Sequence, residues 1–255
     1  MKIYATYNIK GGVGKTSAAV NLAHLAARSG YNVLLWDLDP QAAATYLFRV
    51  RPKVKGGSRA LVDGTRSLDD AIKATDFDGL DLLPADFRYR NMDLQLDDMK
   101  RPTRRIHQLL RPFDDEYDVV FLDCPPSISL LSESVLHAAD LLLVPLIPTT
   151  LSVRTLDQLT EFIAGLNGHR PAVLAFFSMI DRRKRLHTEI AADLPAERQD
   201  FATVAIPSLS VIEQMSVHRA PVSAFAPRSQ AARQYALLWQ EARDRVGLRE
   251  AQPVQ

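Results

Sequence analysis

The chain has 255 residues, 47% of them hydrophobic and 24% charged, which gives one large domain or two small ones and excludes three or more. Its net charge of +1 is uninformative until resolved along the chain, and its single cysteine, Cys124, excludes disulfide scaffolds, zinc modules and cysteine-ligated iron–sulfur clusters. The longest apolar run, 141–147 with Pro145 inside it, falls far short of the roughly 20 residues that cross a bilayer, and no signal peptide is visible at the start.

In chain order, 2–8 is β-prone and ends at a Lys-Gly-Gly turn, and 15–28 carries apolar residues at helical spacing. Gly30 closes that helix and 32–37 is an apolar run of strand length. The alternation continues as strand 80–83, helix 103–110, strand 118–123, helix 127–137 and strand 141–144. It ends with helix 152–166, strand 172–178, helix 186–194, strand 203–206 and helix 229–246. Near-continuous apolar strands alternating with amphipathic helices imply an α/β fold: a doubly wound, mainly parallel sheet with helices on both faces. The expectation is a single domain over 1–250, a frayed tail over 251–255, and a mobile loop over 49–66.

Between the first strand and helix stands Ile9-Lys10-Gly11-Gly12-Val13-Gly14-Lys15-Thr16. Cradling a phosphate takes inward-facing backbone N–H groups without Cβ atoms in the way, a helix N-terminus, a lysine for the β/γ-phosphates and a hydroxyl for Mg²⁺. All four are present; the strict phosphate-loop pattern fails only at Ile9, where it has glycine, and Lys10 adds a second lysine. Asp37-Leu38-Asp39-Pro40-Gln41 closes the second strand and Asp123-Cys124-Pro125-Pro126 closes the strand begun at Asp118. A hydrophobic strand ending in Asp is how a P-loop nucleotidase sets a carboxylate near Mg²⁺.

In this order the three motifs resemble those of the deviant Walker A partition ATPases, the ParA/Soj and MinD group, and the likeness covers essentially the whole chain. It implies an ATPase of P-loop type that binds ATP and Mg through Lys10, Gly11, Gly12, Val13, Gly14, Lys15, Thr16 and Ser17, with Pro207 beside the adenine. Lys10 would reach the nucleotide of a second copy in an ATP sandwich homodimer, Lys15 and Thr16 would hold phosphates and Mg²⁺, Asp39 would position the attacking water, and Asp37 and Asp123 would serve the metal shell. Such a switch segregates or positions a cargo: a plasmid, a chromosome region or a protein assembly. Hydrolysis would be slow and stimulated by a ParB-like or adaptor protein, and the chain would be cytoplasmic, nucleoid-associated when ATP-bound.

Where Soj-like members carry a basic residue after the Ile-Pro at 206–207, this chain has Ser208-Leu209-Ser210-Val211. The remaining candidates for non-specific DNA binding are Arg182, Arg183, Lys184, Arg185 and Arg243, expected to lie on one face once a dimer forms. The alternative is a MinD-like membrane-cycling ATPase; the mixed-charge, Pro-containing segment 246–255 does not make the amphipathic anchor that this requires, so no membrane is expected. The six histidines show no i, i+4 pairing.

Overall fold

A computed structural model of the chain describes residues 1–51, 57–65 and 67–251. Its elements, in order, are β1 (Lys2–Thr6), α1 (Lys15–Arg28), β2 (Val33–Asp37), α2 (Ala43–Leu47), α3 (Gly57–Val62), β3 (Lys73–Ala74), β4 (Leu80–Leu83), α4 (Met92–Asp97), α5 (Arg105–Leu110), β5 (Val119–Asp123), α6 (Leu130–Ala138), β6 (Leu141–Leu146), α7 (Thr150–Gly165), β7 (Ala172–Phe177), α8 (Arg185–Glu197), α9 (Ser210–Glu213), α10 (Met215–His218), α11 (Val222–Phe225) and α12 (Gln230–Arg245).

The strands form one sheet in the order β3-β4-β2-β5-β1-β6-β7, parallel throughout except for the short β3–β4 pair. Side chains alternate between its faces, as the pleat requires. Val119 and Phe121 of β5 join Val33 and Leu35 of β2 against α1 and α12, while Val120 and Leu122 join Leu34 and Trp36 against the residues of α5, α6 and α7. Both faces are covered, so these strands are apolar from end to end. Each fully buried Val, Leu or Phe stabilises the fold by roughly 1.5–3 kcal/mol relative to exposure.

Four expectations shift. Residues 203–206 are not a strand: the N–H groups of Thr203 and Val204 donate to the Glu241 carboxylate on α12 (2.9 and 3.1 Å), and the chain meets the sheet edge at the bridges Ala175–Phe201 and Ile180–Pro207 and through the Ile206 N–H, which donates to the Phe177 carbonyl at 2.8 Å. The helix expected from Ser127 starts at Leu130, because Ser129 and Ser132 close a reciprocal capping box there. Within 49–66, expected to be a loop, α3 buries Leu61 and Val62 in the core; 52–56 and 66 lie outside the described residues, as do 252–255 of the expected tail. β6 also runs through Pro145, past the last β1 pairing at Leu143, and the Pro145 carbonyl accepts from Asn8 Nδ2 at 2.9 Å.

Candidate nucleotide site

β1 ends at the carboxyl edge of the sheet and the chain turns through residues 7–14 into α1. Asn8 fixes the turn, its Oδ1 accepting from the Lys10 N–H at 2.8 Å. Gly12 (φ 69°) and Gly14 (φ 95°) adopt the left-handed backbone that a side chain would strain. Gly14 caps α1 without a side chain, so no side chain claims the first-turn N–H groups, the arrangement that receives an anion. Ser178, just past β7, donates from Oγ to the Val13 carbonyl at 2.5 Å and ties the loop to the far side of the sheet. Lys15 is buried and donates from Nζ to the carbonyls of Asn8 and Lys10, both at 3.1 Å. Burial pushes its pKa down, and the negative charge of Asp123 opposes that. Lys10, by contrast, is exposed.

Parallel register aligns Thr6, Asp123 and Asp37 at the ends of three adjacent strands. The two carboxylates are both fully buried but differently satisfied. Asp37 Oδ2 accepts from the N–H and hydroxyl of Thr45 (2.8 and 2.7 Å), and its Oδ1 from the Asp39 N–H (3.2 Å); burial pushes its pKa up to about 6. Thr45 Oγ1 in turn accepts from the Ala85 N–H at 2.9 Å, so Asp37 organises the segment around Asp39 and α2. Asp123 Oδ1 accepts from Thr6 Oγ1 at 3.2 Å, while its Oδ2 is buried with no hydrogen-bond partner. Burial first, then the charge of Asp37, push the Asp123 pKa well up, and the hydroxyls of Thr16 and Thr6 counter them. A buried, unbonded carboxylate oxygen beside Thr16 is the acceptor that a hydrated Mg²⁺ satisfies, so the residues present fit that ion. Asp39 is half-buried, with Oδ1 accepting from the Gln41 N–H at 2.9 Å. Cys124 is a buried free thiol whose pKa burial raises, a packing residue and not a nucleophile.

Of these groups, the glycine loop, Lys15, Thr16 and Asp39 line a cavity of about 360 Å³, and the Asp37 and Asp123 carboxylates lie buried behind that lining. Gly11, Gly12, Gly14, Lys15, Thr16, Ser17, Asp39 and Pro126 form one side; Ser178, Met179, Ile206, Pro207, Leu209, Ile212, Glu213 and Tyr235 form the other. Pro207 is thus brought to the same cavity as the glycine loop. Sequence reasoning missed Ser178, Thr45, Leu209 and Ile212, since a lone serine, threonine or aliphatic residue carries no motif.

The five basic candidates do not come together. Arg182, Arg183, Lys184 and Arg185 are exposed just beyond the carboxyl end of β7, where Arg183 pairs with Asp181 (2.9 Å) and Arg185 with Glu189 (2.6 Å). Arg183 holds the Asp181 carboxyl down to about 2. Arg243 is half-buried at the amino end of the sheet, within electrostatic reach of Tyr31 and paired with Asp244 at 3.0 Å. Within one chain Arg243 therefore stands apart from the other four, because α12 carries its last turn back to the opposite edge. No helix among the described residues is long and apolar enough to cross a membrane.

Residues 1–174 match the family model described as an AAA domain. The chain is 30% identical over 241 residues to the sporulation initiation inhibitor protein Soj of Bacillus subtilis, covering 92% of this chain and 95% of that one. It is 32% identical over 207 residues to the chromosome partitioning protein ParA of Caulobacter vibrioides, covering 78% of each. Among solved structures, cobyrinic acid a,c-diamide synthase from Mycobacterium smegmatis, with a bound ATP analog and magnesium, superposes with a TM-score of 0.78 at 26% identity over 98% of both chains. A single-substitution variant of Cyanothece McdA in complex with ATP shares the fold, with a TM-score of 0.83 at 19% identity over 100% of this chain and 99% of that one. The chain belongs to the ParA/MinD family of P-loop ATPases.

Proposed function

We propose that the cavity at the carboxyl end of the sheet binds ATP with Mg²⁺, that ATP joins two copies of the chain, and that the ATP-bound dimer binds DNA without sequence preference and positions a cargo. The observation that carries this reading is one cavity lined by a cationic anion cradle, Lys15 and the α1 N-terminus, with the unbonded acceptor Asp123 Oδ2 buried within electrostatic reach of Lys15 and Thr16, and a second lysine left exposed at position 10.

Lys15 and the N–H groups of residues 11–17 hold the phosphates, and the apolar wall of Ile206, Pro207, Leu209 and Ile212 receives the base. The Thr16 hydroxyl and Asp123, the latter through water, hold Mg²⁺, which neutralises phosphate oxygen charge when bound. Asp37 acts one layer out, keeping the 39–45 segment in place. Asp39 orients the water that attacks the γ-phosphorus as ADP leaves. Lys10, exposed and not among the residues lining its own cavity, reaches the γ-phosphate of the second copy, so turnover depends on dimerisation. Arg182 and Lys184, which make no ion pair among the described residues, together with Arg183 and Arg185, are the DNA-facing charges. The cargo adaptor is a ParB-like protein that accelerates hydrolysis and releases the dimer, which is nucleoid-associated only with ATP.

Sedimentation velocity with ATP, ADP and a random duplex at low salt tests this. Dimers with ATP but not ADP, and duplex comigrating only with the dimer, are expected; a monomer under both nucleotides contradicts the reading.

A further inference from the structure

A second cavity, of about 420 Å³, lies at the amino end of the sheet, opposite the nucleotide site. Arg104, His107 and Arg111, spaced three and four residues apart on the helical segment that contains α5, turn one face to it. His137 enters from the last turn of α6 and His169 from the loop before β7. The acids on its wall are Asp114 and Asp140, and Asp140 is already answered by Lys2 Nζ at 3.2 Å and the Ile3 N–H at 2.8 Å. Neither Arg104 nor Arg111 has an ion-pair partner among the described residues. His169 is oriented by a 2.8 Å bond from Nε2 to the Ala139 carbonyl.

This lining selects a chemistry. The histidines do not converge: among the described residues no three His, Cys, Asp or Glu side chains are placed to hold a metal ion. Two guanidinium forks offer N–H donors in the planar, paired geometry that suits phosphate oxygens, and the His107 and His137 imidazoles add single donors, whereas the His169 Nε2–H is already given to the Ala139 carbonyl. The two arginines stand seven residues apart, roughly 10 Å along a helix, a spacing that two phosphates on one compact molecule can bridge. The site is a concavity of about 420 Å³, the size of a small molecule and not of a rigid duplex.

We propose that this cavity binds a small organic phosphate carrying at least two phosphate groups, at a site separate from the nucleotide cavity. Fructose 1,6-bisphosphate serves as the probe, titrated calorimetrically into the full chain already saturated with ADP and Mg²⁺, so that the phosphate loop is filled. One bisphosphate per chain is expected, with affinity at least about tenfold lower in the Arg104→Gln/Arg111→Gln variant and unchanged in Arg182→Gln/Arg185→Gln. Unaltered ADP affinity and melting temperature in the first variant show that it folds. Equal bisphosphate binding by that variant, or none by the wild type at millimolar concentration, overturns the proposal. So does loss of random-duplex binding in that variant with no bisphosphate binding in the wild type, which makes the surface a nucleic-acid contact. Failure of ADP itself to saturate would count against the nucleotide site and not against this one.

Discussion

The two sides of the nucleotide cavity are built by different means. The phosphate side is backbone and charge: left-handed Gly12 and Gly14, an uncapped helix start, buried Lys15, and carboxylates aligned by strand register. The opposite side is apolar surface, Ile206, Pro207, Leu209 and Ile212, on a stretch where α9, α10 and α11 each span only four residues. Phosphate recognition needs particular residues at particular positions, whereas an apolar wall can be made by many sequences. The first side should therefore be brittle to single substitutions and the second tolerant.

The largest expected effect is Lys15→Ala. It removes the buried cation from the cradle and should weaken ATP and ADP binding by at least about 3 kcal/mol, more than a hundredfold, by calorimetry. Asp123→Ala comes next: ATP affinity should fall about ten- to a hundredfold in Mg²⁺, and far less in EDTA. The nucleotide-free variant should melt no lower than wild type, since an unbonded buried carboxylate is removed; a large loss of stability would mean that Asp123 is structural.

His24 probes how the tolerant side is anchored. It is buried on α1 with Nδ1 at 2.8 Å from Ser223 Oγ of α11, and burial, aided by the charge of Arg28, lowers its pKa to about 4. Because the folded chain binds that proton less tightly than the unfolded one, its stability is complete above the ordinary histidine pKa of about 6.5 and is lost as pH falls toward 4, by up to about 2 kcal/mol at pH 5. Urea denaturation at pH 7 and 5 should show the loss, and His24→Gln should lessen it; an unchanged difference would remove this residue from the account. The smallest effect is Leu209→Ala, which should weaken ATP and ADP binding equally, by about 1 kcal/mol, because the base is common to both. A selective loss of ATP would place Leu209 near the γ-phosphate instead.

The same contrast explains what could be read from sequence. The β1–loop–α1 unit and the strand ends at Asp37 and Asp123 were legible because glycine, lysine and terminal aspartate each announce a local physical need. The short α2, α3 and α4 were not, since helices of five or six residues form only when packed. Residues 203–206 looked like a strand but form none because Glu241, 37 residues beyond Val204, takes the N–H groups of Thr203 and Val204 and leaves only that of Ile206 for β7. No local pattern carries that information, nor the 165-residue separation between Ser178 and the Val13 carbonyl. The difference between Asp37 and Asp123 was also invisible: both end apolar strands, and only the fold brings Thr45 to one of them.

The central claim is that the phosphate side is completed by Lys10 of a second copy while Asp39 acts within its own subunit. Mixing the inactive variants Lys10→Ala and Asp39→Ala tests it in one phosphate-release assay. In a mixed dimer, the site with intact Asp39 receives Lys10 from its neighbour, so an equimolar mixture should recover up to about a quarter of the wild-type rate, from half of the sites in half of the dimers. A mixture as inactive as its components, or a Lys10→Ala protein that hydrolyses ATP unaided, would contradict the account.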